Sequence, residues 1–241
     1  MGVKIALLLC CLLVGLNAQA SVREQKHLHV YGPGGPHRVL EECADIFRQR
    51  HGIDVWVTKA MPGDLERKLR EDGDLYYGGA EYMLEKLVSQ NVDLLDLSTV
   101  TNLHPRRIGI IVRKGNPMQI SGPEDLNRDE IDILDVKLEK MRDFHGEPGL
   151  SSNIKRFEFT GQQGQESWRR FPELDAWVTY RSWHAELATE ADFIDISHLS
   201  GVRFTPMART RHTPYPEEAD LFLKFLQTEE AALIFKRHGW Y

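Results

Sequence analysis

The sequence predicts an α/β fold divided into two lobes with a ligand cleft between them. Three observations carry that expectation. Strand-like and helix-like segments alternate from His27 onward, glycine-rich turns fall where strands hand over to helices, and helical period is lost after Gln90 before a second α/β run begins near Arg107. Such alternation argues for an open, mostly parallel sheet covered by helices, which takes ligands at the carboxyl ends of its strands.

"HLHVYG" (27–32) alternates, is rich in β-formers and predicts the first strand. "RVLEECADIFRQRHG" after it carries Val39, Leu40, Cys43, Ala44 and Phe47 at helical spacing. Between them Gly32, Pro33, Gly34, Gly35, Pro36 and His37 form a strand-to-helix turn. The start of a helix leaves backbone N–H groups unpaired at the positive end of its dipole. The turn can therefore cradle an anion, with His37 as a further donor, or simply tighten the connection.

"IDVWVTKA" (53–60) reads as the second strand, with Lys59 at its carboxyl end, and "PGDLERKLRED" (62–72) as a helix with proline suitably at its start. "DLYYGG" (74–79) is a third strand ending in Tyr77, Gly78 and Gly79, followed by the helix "AEYMLEKLVSQ" (80–90). After the break, 107–128 reads as strand, turn and short helix, "DILDV" (132–136) as a strand and "KLEKMRDFHG" (137–146) as a helix. A polar loop through Ser151 and Ser152 leads to the strand "NIKRFEFTG" (153–161), the helix "QESWRRF" and the strand "LDAWVTY" (174–180). The chain then runs extended through "DFIDISHLSGVRFTPMAR" and ends in two helices, the last capped by Thr228 ahead of Glu229 and Glu230. Strand-like connectors near 101–107 and 201–207 are expected to cross between the lobes, giving 21–105 and 204–241 as the first lobe and 106–203 as the second. A hinge is expected in the crossings.

Residues 1–20 have a lone basic Lys4, an apolar run and the ending Ala18-Gln19-Ala20, the layout of a cleaved secretory signal. Cys10 and Cys11 fall inside it, which leaves Cys43 alone, and its apolar neighbours favour a core position over a nucleophile. With Lys+Arg 30 against Asp+Glu 36, the formal net charge is −6, which does not suggest nucleic-acid or anionic-membrane binding. His27 and His29 share a strand face but lack a third ligand nearby, so no metal is expected, and no cofactor motif is present. The chain also lacks a Gly-x-Ser-x-Gly elbow, and no enzyme activity is expected.

Arg107, Arg181 and Arg203 offer bidentate donors suited to carboxylate or phosphate, whereas Arg106 and Arg211 are expected to face water. Thr160, Gly161, Gln162 and Gln163 close a strand and open a helix, so they form either a second anion cradle or a plain polar loop. Asp135 ends its strand and either caps the following helix or selects a hydroxyl- or ammonium-bearing ligand. Trp168 and Trp177 read as core, and Trp183 as a cleft wall.

"LHVYGPGGPHRVLEECADIFRQRHGIDVWV", "IGIIVRKGNPMQISGPEDL", "ELDAWVTYRSW" and "FLKFLQTEEAALIFKRHGW" together resemble the accessory colonisation factor family of periplasmic solute-binding proteins, related to the molybdate- and sulfate-type binding proteins of ABC transporters. The resemblance implies a class II periplasmic-binding-protein fold that closes on a small anion: a carboxylate, a phosphorylated acid or an oxyanion. It implies an anion loop at residues 32–37, a cleft-facing turn at residues 76–79, ligand-site aromatics Tyr180 and Trp183 near the second lobe's edge, and Arg203 at the crossing back to the first lobe. An inner-membrane permease is the implied partner. The chain departs from that family where "LDVKLEKMRDFHG" replaces a Thr-Gly-x-Trp-Glu-Asp stretch. The competing expectation is therefore an adhesin or sensor partner whose small-molecule site has drifted.

Overall fold

The computed structural model describes residues 26–142 and 153–241. The expected leader at 1–20, the end of the helix expected at 137–146 and the loop through Ser151 and Ser152 lie outside the described residues.

Alternation sets the first body. β1 (His27–Gly32), α1 (His37–His51), β2 (Asp54–Lys59), α2 (Pro62–Glu71), β3 (Leu75–Tyr77) and α3 (Glu81–Gln90) follow in order, and β1 pairs in parallel with both β2 and β3. Each strand alternates or buries its side chains, and each helix presents an apolar stripe to the sheet, so the pairing buries both. The apolar residues of α1 meet Leu28 and Val30 of β1 in one core.

β4 (Thr101–Arg113) continues for 13 residues and belongs to both halves of the molecule. It joins the strand-like connector expected near 101–107 and the strand expected from Arg107 into one continuous strand. Pro105 interrupts the ladder, and the register shifts between Leu103 and Pro105, a bulge that accommodates a residue with no N–H to donate. Beyond a 3-10 turn at Pro123–Asn127, β5 (Ile133–Val136) and β6 (Ile154–Glu158) pair in parallel. α4 (Gly161–Arg170), β7 (Ala176–Tyr180), α5 (Arg181–Ala185), β8 (Ala191–Asp195) and α6 (Ser197–Ser200) complete the second body. Of these, β8 falls in the stretch expected to run extended, whereas the short helices α5 and α6 have no counterpart in the sequence expectation. The helix expected from residue 137 is instead a 3-10 turn, Lys137–Glu139, closed by Lys140 in the left-handed region at φ 53°.

β9 (Val202–Arg209) returns antiparallel to β4 and β3, and α7 (Pro216–Leu226) and α8 (Glu229–Arg237) then settle on the first body. Phe222 of α7 meets Phe47 of α1 with ring centroids 5.0 Å apart. The resulting nine-stranded sheet runs β2-β1-β3-β9-β4-β7-β5-β6, with β8 alongside β4. Separate apolar clusters form on the two sides: Leu28, Leu40, Phe47 and Phe235 in one, Ile110, Leu134, Trp168 and Trp177 in the other. The paired strands β4 and β9 stand in the middle of the sheet, between the strands of the two bodies. No helix among the described residues is long and apolar enough to cross a membrane.

Candidate functional site

A cavity of about 170 Å³ opens between the two bodies. One wall is the β1–α1 turn, Pro33, Gly34 and Gly35, with Lys59 at the end of β2 and Gly79 after β3. The other is Leu138 and Glu139 after β5, Gly161 and Gln162 at the start of α4, and Tyr180 and Trp183 at the β7–α5 junction. Arg106 reaches the same space from β4. A more polar basin of about 250 Å³ adjoins it, sharing Gly34, Gly35, Lys59, Gln162 and Trp183 and adding Arg38, Glu186 and Arg169.

Arg106 is the outstanding residue of this cleft. Only 1% of it is exposed, its guanidinium lies 3.8 Å from the Tyr180 ring centroid, and its Nε and Nη2 have no hydrogen-bond partner among the described residues. A side chain at Gly35 would come within 3.6 Å of its Nη1. The aromatic face supplies some attraction, but a buried guanidinium with unmet donors is costly unless an anion completes it. The expectation that Arg106 faces water is therefore overturned. In the doublet Arg106-Arg107 one side chain must point to each face of the strand, and the bulge at Pro105 decides which. Arg107 points outward to Asp195 at 2.8 Å and to the Tyr241 carbonyl.

Glu139 is 7% exposed and also lines the cavity. Its Oε2 accepts from Thr179 Oγ1 at 2.6 Å and its Oε1 from Trp183 Nε1 at 2.6 Å. Burial pushes its carboxyl from 4.5 up to about 7, against the opposing pull of Thr179, Arg106 and Trp183. Because the folded value is raised, the neutral acid stabilises the fold. That contribution is complete below about pH 4.5 and lost as pH rises through about 7. Relative to Glu139→Gln, the protein is expected to lose roughly 3 kcal/mol across that window, read from denaturant melts at stepped pH. Equal pH profiles for the two proteins would refute the assignment.

The glycine at the start of α4 has a packing reason. A Cβ on Gly161 would fall 2.3 Å from the Trp183 ring, so only glycine lets the indole lie against the first turn and reach Glu139. Thr160 and Gln163 make a reciprocal capping box on the same turn. Polar contacts join the two walls directly. Lys59 Nζ donates to Gln162 Oε1 at 3.3 Å, Arg38 Nη1 to Glu186 Oε2 at 2.8 Å, and Tyr82 OH to the Leu138 carbonyl at 2.5 Å.

Of the residues expected at the site, Pro33, Gly34, Gly35, Lys59, Gly79, Gly161, Gln162 and Tyr180 come together around the cavity, and Gly32, Pro36, His37, Tyr77, Gly78, Gln163 and Arg203 do not line it. Gly32 lies under Tyr77, whose side chain is buried in the first core. Pro36 is the N-cap position of α1, and His37 pairs with Glu41 at 3.0 Å on the same helix. Gly78 is bonded to the Pro206 carbonyl at 2.7 Å, and Gln163 is spent in the capping box. Arg203 stands opposite Arg106 in the β4–β9 register but remains half-buried at the crossing. Asp135 neither caps nor reaches the cavity; it is buried and accepts from Arg142 Nε at 2.8 Å. Glu139 has no place in the sequence expectation because its segment reads as a plain helix, and no local signal marks one glutamate for burial.

The family model for bacterial extracellular solute-binding proteins matches residues 28–143 and 146–241. Among solved structures, PEB3 with L-phospholactate bound superposes with a TM-score of 0.73 at 22% identity, covering 88% of this chain and 98% of that one. PEB3 is from Campylobacter jejuni. The substrate-binding domain of a molybdenum ABC transporter from Clostridium difficile gives 0.67 at 16% identity, covering 89% and 97%. The sulfate-binding protein SubI from Mycobacterium tuberculosis gives 0.70 at 14% identity, covering 89% and 86%. No curated protein matches the sequence. At these identities the structural likenesses carry the fold.

Proposed function

The chain belongs to the bacterial extracellular solute-binding protein family, and from that premise we propose that it captures a small anion in the cleft between its lobes and delivers it to an ABC-type permease. The single observation behind this reading is Arg106, a buried guanidinium with two nitrogens unmet by any partner among the described residues, aimed into a cavity walled by both bodies. An anionic oxygen pair supplies what that group lacks, a bidentate partner in a low-dielectric site. Backbone N–H groups of the Pro33–Gly35 turn and of the first turn of α4 would add donors from the two sides, with Lys59 at the mouth.

Closure follows from the same geometry. A ligand held by both walls binds the closed form better than the open one and shifts the population only by that difference. Lys59–Gln162 and Arg38–Glu186 would reinforce the closed state, with residues 21–105 and 204–241 moving against 106–203 about the β4–β9 crossing. Within the family, the likeness of the "YGPGGPH" turn supports a reading of the chain as a member of the accessory colonisation factor group. The leader-like residues 1–20 fit export to the periplasm. The PEB3 likeness puts phosphorylated carboxylates first among candidate ligands, and the role is binding, with no reaction assigned to the cleft.

The test is a thermal-shift screen of ligand-stripped protein against L-phospholactate, phosphate, sulfate, molybdate and citrate. A ligand at about a hundred times its Kd adds about 2.7 kcal/mol, so the melting temperature is expected to rise by about 5–10 °C for a selective anion. A flat response across the panel would overturn anion capture and favour a surface-interaction role on the same fold.

A further inference from the structure

Anion capture leaves Glu139 unexplained, because a second negative charge beside the ligand would oppose binding. Yet Glu139 lines the same cavity as Arg106 and is fixed there by Thr179 and Trp183, one donor on each carboxyl oxygen. Those two bonds suit either protonation state. The indole N–H donates only, to Oε1, whereas the Thr179 hydroxyl can donate to a carboxylate or accept from a carboxylic acid. The site is therefore built to hold the group in place while its proton comes and goes.

The charged and titratable groups around it come from every neighbouring element. Arg106 of β4 attracts the ionised form, Asp135 of β5 repels it, and the Tyr82 and Tyr180 phenols of α3 and β7 also sense its charge. Asp135 is itself bonded to Arg142, and Lys59 lines the cavity from the opposite wall. Arg106 is the buried cation among them and has two nitrogens unmet among the described residues, as the Tyr180 hydroxyl beside it also is, so Glu139 acts as the resident counter-charge of Arg106 until an anion arrives.

We propose that anion capture is coupled to proton uptake by Glu139: as an anionic group seats on Arg106, one proton from solvent binds the Glu139 carboxylate, which meets the ligand as a neutral acid. The inference rests on the capture reading above. The acid proton goes to Thr179 Oγ1 or to an unprotonated ligand oxygen, so the site prefers ligands that present an acceptor there. The carboxyl lies at about 7 before a ligand adds its own negative field, so the coupling operates around neutral pH and affinity declines on the alkaline side.

Calorimetric titration of the protein and of Glu139→Gln with L-phospholactate and with sulfate, whose own charge is constant near neutrality, tests this. From about pH 6 to about pH 8 the unsubstituted protein is expected to lose about tenfold in affinity for sulfate, while the glutamine variant stays level. For L-phospholactate the ratio of the two proteins' affinities is expected to change by the same factor. The heat of binding to the unsubstituted protein is expected to depend on the buffer's ionisation enthalpy, reporting proton uptake. Parallel pH profiles for the two proteins, or buffer-independent heats, would overturn the coupling. A readout without substitution is the Trp183 indole N–H resonance. It is expected to titrate near neutrality in the free protein and to stop doing so with ligand bound; titration that the ligand leaves unchanged counts against the proposal. No binding of any panel anion by either protein at any pH would instead overturn the capture reading, and the coupling with it.

Discussion

Replacing Arg106 with methionine is expected to weaken anion binding by at least about thirtyfold while leaving the free protein as stable as before or more stable. The two halves of this expectation have one cause. The Arg106 guanidinium is buried with Nε and Nη2 unpaired among the described residues, so the free protein bears a desolvation cost that methionine removes. Relieving an unpaired buried polar group is worth about 1–3 kcal/mol, and losing a desolvated charge partner for a ligand costs about 2–5 kcal/mol. The thioether still packs against the Tyr180 ring, 3.8 Å from the present guanidinium carbon. Calorimetry with whichever panel anion binds, together with melts of the free protein, reads both quantities. Arg203→Met, opposite in register but off the cavity, is expected to change affinity by less than about threefold, in keeping with a screened charge near the surface. Normal binding by Arg106→Met would remove the observation on which the functional reading stands.

Gly32→Ala is expected to lower the melting temperature by about 10 °C, whereas Gly34→Ala, two residues on, is expected to leave it within about 2 °C. A Cβ on Gly32 would lie 2.1 Å from the Tyr77 carbonyl oxygen and 2.6 Å from its Cγ. β1 and β3 are paired neighbours there, so the obstructing backbone has no room to withdraw. Overpacking of that kind costs about 3 kcal/mol. At Gly34 the nearest atom is Lys59 Cδ at 3.6 Å, an ordinary contact that a flexible side chain can adjust. Melts of the two variants without ligand separate a glycine required for close packing from one that leaves a turn open beside the cavity. Similar losses at both positions would show that the whole turn is structural.

The glycine turn illustrates how much of the site was legible beforehand. Its place at the end of β1 followed from local pattern, and Pro33, Gly34 and Gly35 do line the cavity. Gly32 and His37 belong to the same stretch but are taken up by Tyr77 and Glu41. No local rule separates one glycine from its neighbour when the difference is an adjacent strand's carbonyl. The sequence leaves Thr160 to Gln163 as either a cradle or a polar loop, and the fold divides them: Thr160, Gly161 and Gln162 line the cleft, while Gln163 is spent in the capping box with Thr160.

The sequence by itself determined the α/β class, the order of the early strand–helix units, the strand-end position of the glycine turns and the return of the last helices, because period and turn chemistry are local properties of the chain. Tertiary structure alone decided that Arg106 and not Arg107 enters the cleft, and that Glu139 is buried against Thr179 and Trp183. The first depends on a one-residue register shift at Pro105 and the second on packing between segments distant in the chain. Burial of a charge is a long-range outcome: it is set by which surfaces meet, and the residue that bears it carries no mark of it in its neighbours.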